Sequence, residues 1–152
     1  MPLPTAVLDT NTVLDWLVFR DPATSLLAEQ IESGALVWRT TPAMRREFEQ
    51  VLPRECFAPW QPDAAAVAAT WDRLASTDSE EPPRGPLLCG DPDDQVFIDL
   101  AIHRGCTWLI SRDRALLRLA RRAAAWRVSV LTPRSWHALN AQLPAPKAPA
   151  QA

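Results

Sequence analysis

Residues 5–18 read TAVLDTNTVLDWLV, and this stretch decides the fold. Its first part is a short apolar segment that predicts a buried strand, and its second part predicts a helix. Asp9 stands at the junction between them. In open α/β sheets, ligands bind in the crevice outside the carboxyl ends of the strands, so a carboxylate here lies where chemistry is usually done. The alternative is that Asp9 only caps the helix that follows, since Asp is a favoured N-cap residue.

A second strand-to-helix junction has the same form. Residues 107–110 predict a short strand, the turn 111–113 follows it, and residues 114–122 predict a helix. Asp113 therefore repeats the position of Asp9. Strands predicted near residues 6–9, 36–38, 107–110 and 128–131 alternate with helices. Such alternation predicts an α/β sandwich with a mainly parallel central sheet and right-handed crossovers.

Two further acids lie on predicted helices. Glu47 shares an apolar helical face with Met44, Phe48 and Val51, where a carboxylate is costly unless it is paired or binds a metal. An internal salt bridge to an arginine is the alternative for Glu47.

In residues 91–101, DPDDQVFIDLA, Asp91 predicts an N-cap and Pro92 the first helical residue. Helical spacing turns either Asp93 or Asp94 inward and does not choose between them. Together the acids at the two strand ends and on the two helices predict a shared site for a divalent cation, because carboxylate oxygens suit Mg²⁺ or Mn²⁺.

The chain resembles the PIN domain family, in particular its bacterial branch of toxin components, the VapC-like ribonucleases. The resemblance spans about residues 5–136. Its motifs are VLDTN at 7–11, EFEQVL at 47–52, DPDDQVFIDLA at 91–101, LISRDRALL at 109–117 and VLTP at 130–133. Each motif alone is weak, but their order and separation are fairly specific.

The resemblance implies a three-layer α/β/α fold and an acidic site that binds one or two Mg²⁺ or Mn²⁺ ions. It assigns that site to Asp9, Glu47, Asp94 and Asp113, thereby choosing Asp94 over Asp93, and gives Asn11 and Ser111 as supporting polar groups. It further implies hydrolysis of single-stranded or structured RNA, a possible antitoxin partner and a homodimer. One departure is Ala115, where many members carry a further acid.

The distribution of charge along the chain says more about possible ligands than the net charge does. The net charge is −2, which gives no global sign of a polyanionic ligand. Arg114, Arg118 and Arg121 would share one helical stripe that begins beside Asp113, next to Arg112. Positive charge beside an acidic pocket suits a phosphodiester backbone, so these four arginines are candidate RNA contacts. The alternative is a solvated helix face.

Length, cysteine content and hydropathy limit the domain organisation and the location of the protein. The length suits one domain at residues 1–142, followed by a disordered Pro- and Ala-rich tail at 143–152. Three cysteines without metal spacing predict reduced thiols and a cytoplasmic location. The N-terminus lacks a basic region followed by a long apolar run, and no apolar stretch is long enough to cross a bilayer.

Among the tryptophans, Trp60 lies in a predicted loop and is a candidate for stacking on a base. Five others are expected to pack in the core: Trp16, Trp38, Trp71, Trp108 and Trp126.

Two other functions compete with the nuclease. Residues 9–12, DTNT, echo the nucleophile loop of haloacid-dehalogenase-like phosphohydrolases, but that family normally has a second Asp where Asn11 stands. The third possibility is a catalytically inactive module that acts only by binding a partner.

Overall fold

The computed structural model describes residues 2–55 and 63–141. Within these residues, five strands form one sheet: β1 (Thr5–Leu8), β2 (Val37–Thr40), β3 (Ala75–Thr77), β4 (Trp108–Ile110) and β5 (Ser129–Leu131). Eight α-helices lie in the same part of the chain: α1 (Thr10–Leu17), α2 (Ser25–Glu32), α3 (Pro42–Glu55), α4 (Ala64–Leu74), α5 (Gln95–His103), α6 (Arg114–Leu117), α7 (Ala120–Ala123) and α8 (Pro133–Ala141). Short 3-10 helices cover Pro22–Thr24, Pro92–Asp94 and Ala124–Trp126.

The sheet is parallel throughout, with the strand order β3-β2-β1-β4-β5. From β1 the chain first builds outward through β2 to β3, and then crosses to the other side of β1 to form β4 and β5. The strand order therefore reverses between β1 and β4. Their carboxyl ends border the crevice where open α/β sheets bind ligands.

Each face of the sheet is covered by helices. Along β1, Ala6 and Leu8 face one core and Val7 faces the other, as the two-residue period of a strand requires. The first core takes side chains from α1, α2, α4 and α8 and most of those from α3, and the second takes them from α5, α6 and α7. The predicted α/β/α sandwich with a parallel central sheet is confirmed.

Tryptophan packing holds the first core together. Trp38 makes edge contacts with Trp16 and Trp71 at ring-centroid distances of 5.2 and 4.6 Å, and Trp108 contacts Trp136 at 6.5 Å. The expectation of core packing is wrong for Trp126, whose residue surface is 41% exposed. Trp60 and the predicted tail at 143–152 lie outside the described residues.

Two local expectations also differ from the structure. The helix predicted for residues 114–122 is divided, because α6 ends at Leu117 and α7 begins at Ala120. Strand β3 was not predicted, since its three residues follow α4 without a turn signal. Within the described residues, no helix is both long and apolar enough to span a membrane.

Candidate metal centre and active site

Two strand ends at the reversal point carry aspartates. Asp9 follows β1, and its backbone N–H donates to the Ile110 carbonyl of β4 at 3.3 Å. Asp113 follows β4 after a two-residue turn. Both residues are N-caps, Asp9 of α1 and Asp113 of α6. The parallel pairing of β1 and β4 thus brings the two carboxylates to one edge of the sheet.

The Asp9 carboxylate is buried, and both of its oxygens accept hydrogen bonds. Its Oδ1 accepts from the Thr12 N–H at 2.9 Å, and its Oδ2 accepts from the Ser111 hydroxyl at 2.5 Å. Burial raises the pKa of Asp9, while the hydrogen bonds from Ser111 and Thr12 oppose that rise. A carboxylate held in this way is poorly placed for in-line attack as a nucleophile, which disfavours the phosphohydrolase alternative.

Ser111 connects the two strand-end aspartates. While its hydroxyl donates to Asp9, its Oγ accepts from the Asp113 N–H at 2.9 Å. The Ser111 side chain is fully buried, so this relay is shielded from solvent. The second supporting residue predicted from the sequence, Asn11, is exposed in the first turn of α1.

Three carboxylates come together in front of these strand ends. One oxygen of each of Asp91, Asp94 and Asp113 lies within 4.8 Å of the others. Burial and the neighbouring charges of Asp113, Asp91 and Asp9 raise the pKa of Asp94 from 3.8 to about 7. Such a group of hard oxygen donors fits a divalent cation, because the ion would remove the mutual repulsion.

Sequence reasoning treated Asp91 only as a helix cap. Its Oδ1 does accept from the Asp93 N–H at 3.0 Å, but Oδ2 takes no part in the cap. Asp113 is similar, since its Oδ1 accepts from Ala115 and Leu116 N–H groups at 2.8 and 3.4 Å. Of the two candidates left open by helical spacing, Asp94 lies in the cluster and Asp93 is exposed.

Glu47, predicted from the sequence to belong to the site, is not part of the three-carboxylate cluster. The Thr10 hydroxyl donates to Glu47 Oε2 at 2.6 Å, which ties α3 to the first residue of α1. Within the described residues Glu47 forms no salt bridge, in contrast to its neighbour Arg45, which pairs with Glu49 and Asp72. The side chain is partly exposed and points to a hydroxyl, so the internal ion pair considered for it is not formed.

The turn that carries Asp91 is clamped to α5 by Gln95. Its side-chain amide donates to the Leu87 carbonyl at 2.8 Å, and its Oε1 accepts from the Cys89 N–H at 2.7 Å. Asp99, one turn further along α5, accepts from Gln95 Nε2 at 2.8 Å and from the Gly85 N–H at 2.9 Å. These bonds hold residues 85–89 in place, and the position of Asp91 follows from them.

Ala115 is the position at which the sequence resemblance implied a further acid. It lies next to the same turn, because a Cβ built on Gly90 would stand 4.0 Å from the Ala115 Cβ. Asp91 is therefore close to the place that the missing side chain would fill.

Arg112 does not have the free guanidinium expected of a phosphate contact. It makes a two-pronged ion pair with Asp15 of α1, at 2.7 Å from Nε and 3.0 Å from Nη2. The Asp15 side chain is only 7% exposed, so the pair satisfies a buried charge. The interaction fixes the 111–113 turn against α1. Arg114, Arg118 and Arg121 are exposed.

A family comparison agrees with this geometry. The family model described as PIN domain matches residues 5–115, which include both strand-end aspartates and the whole three-carboxylate cluster. Among curated proteins, none matches the chain. PIN domains are generally nucleases that use divalent metal ions. With the match covering most of its length and the acids gathered at the expected edge of the sheet, the chain belongs to the PIN domain family.

Proposed function

We propose that this PIN domain is an endoribonuclease dependent on Mg²⁺ or Mn²⁺ and that it is the toxin of a toxin–antitoxin pair. The main support for nuclease activity is the cluster of Asp91, Asp94 and Asp113, whose ligand atoms lie within 4.8 Å of one another. The chain that bears this cluster belongs to a family of nucleases. RNA as substrate and the toxin role are supported by the resemblance to the bacterial branch.

The residues present fit a divalent ion. Asp91, Asp94 and Asp113 would hold it directly, whereas Asp9 and Glu47 would contact it through water, since each already accepts a short hydrogen bond. When bound, the ion supplies a water of lowered pKa and stabilises charge on the phosphate oxygens.

The chain's own residues contribute position and protonation state. Ser111 keeps Asp9 and the Asp113 backbone in fixed relation, and Gln95 holds the Asp91 turn. Because the pKa of Asp94 is about 7, a proton competes with the metal there at neutral pH. Metal affinity and cleavage should therefore rise as the pH increases from 6 to 8.

Cleavage of a labelled single-stranded RNA in Mn²⁺ tests the proposal. We expect cleavage by the wild type and a loss of at least about 100-fold in Asp94→Asn and Asp113→Asn, because each substitution removes a metal contact from the transition state. Asp93→Asn is the matched control, since it makes the same chemical change at an exposed acid next to the cluster. Equal activity of Asp94→Asn and Asp93→Asn in a nuclease-free preparation would refute the assignment.

The toxin role needs a separate test. Induced expression should arrest growth with the wild type and not with Asp94→Asn, and co-expression of an antitoxin should restore it. We place this activity in the cytoplasm and propose a homodimer, as in related toxins; light scattering of the purified protein checks the dimer. Continued growth despite active nuclease would remove the toxin role and leave the ribonuclease intact.

A further inference from the structure

The charges of this chain are strongly segregated along its sequence. All 18 acidic residues lie between Asp9 and Asp113. Beyond Asp113 there is no Asp or Glu, while this part of the chain carries Lys147 and the arginines at positions 114, 118, 121, 122, 127 and 134. The small net charge of −2 therefore conceals a basic C-terminal part that begins directly after a metal-site residue.

Five of these arginines belong to the segment from α6 to β5 and are exposed. These five residues form the arginine strip: Arg114, Arg118, Arg121, Arg122 and Arg127. Leu116, Leu119 and Ala123 of the same segment are buried in the second core. Burial of these apolar residues turns the arginines between them toward solvent.

The arginine strip has no carboxylate partners among the residues that the structure describes. No salt bridge within 4 Å joins any of its members to an acid in that part of the chain, although five arginines outside the strip are paired: Arg39, Arg45, Arg73, Arg104 and Arg112. Four other described arginines are also unpaired, Arg20, Arg46, Arg84 and Arg134, but they are scattered along the chain, whereas the strip gathers five within fourteen residues. Within the strip, Arg118, the C-cap of α6, lies four residues from Arg114, a like-charge spacing that destabilises a helix. Folding alone gives no reason for this arrangement, but a polyanionic partner does.

An exposed indole lies at the far end of the strip. Trp126 closes the 3-10 helix Ala124–Trp126, immediately before Arg127, and is 41% exposed. Exposure of a tryptophan leaves a large apolar ring in water, and a flat ring among arginines is the combination that binds single-stranded nucleic acid: phosphates contact the cations and an unpaired base stacks on the ring.

We propose that the arginine strip and Trp126 bind the unpaired strand of the RNA on one side of the cleavage site. This inference rests on the proposed function and adds the substrate's conformation and path to it. Arg114 is adjacent to Asp113, and Trp126 lies at the end of the segment formed by α6, α7 and the 3-10 helix, at most about 20 Å away at the rise of a helix. The strand leaves the acidic cluster along α6 and α7, and a base stacks on Trp126 several nucleotides from the scissile phosphate.

Binding of a fluorescein-labelled single-stranded oligoribonucleotide, measured by anisotropy in EDTA between 50 and 200 mM salt, tests the surface without cleavage. For Arg118→Gln with Arg121→Gln, affinity should fall about 10- to 100-fold at the lowest salt, and the slope of log K against log salt should decrease by about 1.4. Trp126→Ala should weaken binding about 5- to 150-fold and leave that slope unchanged, because stacking releases no counterions.

Two control variants make matched changes on the opposite face of the sheet. Arg73→Gln removes an exposed arginine from α4, and Leu139→Ala removes an exposed apolar side chain from α8. Both should bind the RNA within about twofold of the wild type, as expected for residues outside a contact. All variants should keep the wild-type increase in melting temperature with Mn²⁺, which shows that the fold and the metal cluster are intact.

Three results would overturn the proposal. The first is unchanged affinity and salt slope in the double arginine variant. The second is equal affinity of the wild type for a duplex of the same length, which excludes stacking on Trp126. The third is a loss of self-association in the strip variants without a loss of RNA binding, which makes the strip an interface between copies. If the wild type neither binds Mn²⁺ nor cleaves RNA while strip-dependent binding persists, the proposed function fails and the binding surface stands.

Discussion

Asp94→Asn should stabilise the metal-free protein and abolish its stabilisation by metal. Because the pKa of Asp94 in the folded protein is about 7 rather than 3.8, the folded state holds this proton more tightly than the unfolded state. The corresponding stability is fully present below pH 3.8 and is lost as the pH rises through about 7. An amide cannot ionise, so the variant escapes this loss.

The shift of the Asp94 pKa from 3.8 to about 7 sets the size of the expected gain in stability. At about 1.4 kcal/mol per pKa unit it corresponds to roughly 4 kcal/mol at most. Solvent screens a side chain as accessible as that of Asp94, so we expect about 1–2 kcal/mol at pH 8. For a domain of this length, that is an increase in melting temperature of about 2–8 °C in EDTA.

Metal binding should reverse the order of thermal stability, so that the wild type becomes more stable than Asp94→Asn. Mn²⁺ at a hundredfold excess over Kd stabilises the wild type by about 2.7 kcal/mol, or about 5–11 °C, if it binds only the folded state. We expect little or no shift in Asp94→Asn, and a wild-type response in Asp93→Asn. Thermal unfolding at pH 5 and pH 8, with EDTA and with Mn²⁺, measures both effects.

The pH dependence provides the decisive comparison. At pH 5 only the part of the stability loss that accrues between pH 3.8 and 5 is present, so the advantage of Asp94→Asn in EDTA should fall to roughly a third of its value at pH 8. An equal advantage at pH 5 and pH 8 would refute the argument from charge repulsion. A Mn²⁺ shift of wild-type size in Asp94→Asn would refute its place in the metal site.

Three further substitutions test the residues around the cluster. Ser111→Ala removes the side-chain donor at 2.5 Å from Asp9 Oδ2; we expect a loss of about 1–3 kcal/mol in urea unfolding and a reduced kcat. Gln95→Ala releases the Leu87 carbonyl and the Cys89 N–H, so amide exchange in residues 85–91 should accelerate and the Kd for Mn²⁺ should increase about tenfold, measured by titration calorimetry. Arg112→Ala leaves Asp15 buried without a partner and should lower stability by about 1–3 kcal/mol at pH 7. In the double variant with Asp15→Asn most of that loss should be recovered; an additive loss would contradict the ion pair.

The pattern of apolar residues predicted those parts of the fold that local sequence determines. The strand at the start of the chain and the strand before Ser111 each end in a turn with a capping aspartate, and both were predicted within two residues of their bounds. Parallel pairing followed from the alternation of strands and helices. Strand β3 was not predictable in the same way, because Ala75–Thr77 lacks an apolar run and becomes a strand only by pairing with β2.

The division of the helix beginning at Arg114 was also beyond local reasoning. Residues 114–122 contain no Gly or Pro and have good helix formers throughout. Leu116, Leu119 and Ala123 are buried in the second core, and their spacing of i, i+3 and i+7 would put them on one face of a continuous helix as well. Neither helix propensity nor the apolar pattern therefore indicates the break at Arg118–Leu119. Trp126, which the sequence pattern predicted to lie in the core, is 41% exposed.

A carboxylate can cap a helix and face a metal site at once, although from the sequence alone these two roles are alternatives. Asp91 and Asp113 each use Oδ1 to cap a helix, and Oδ2 is outside the cap. Capping fixes the side-chain rotamer, so the second oxygen is held in place without further contacts. Helix N-termini arranged around one crevice can thus orient several acids that would otherwise repel one another. The missing acid at Ala115 is consistent with this principle, because the cap at Asp91 brings a carboxylate from the neighbouring turn into the same cluster.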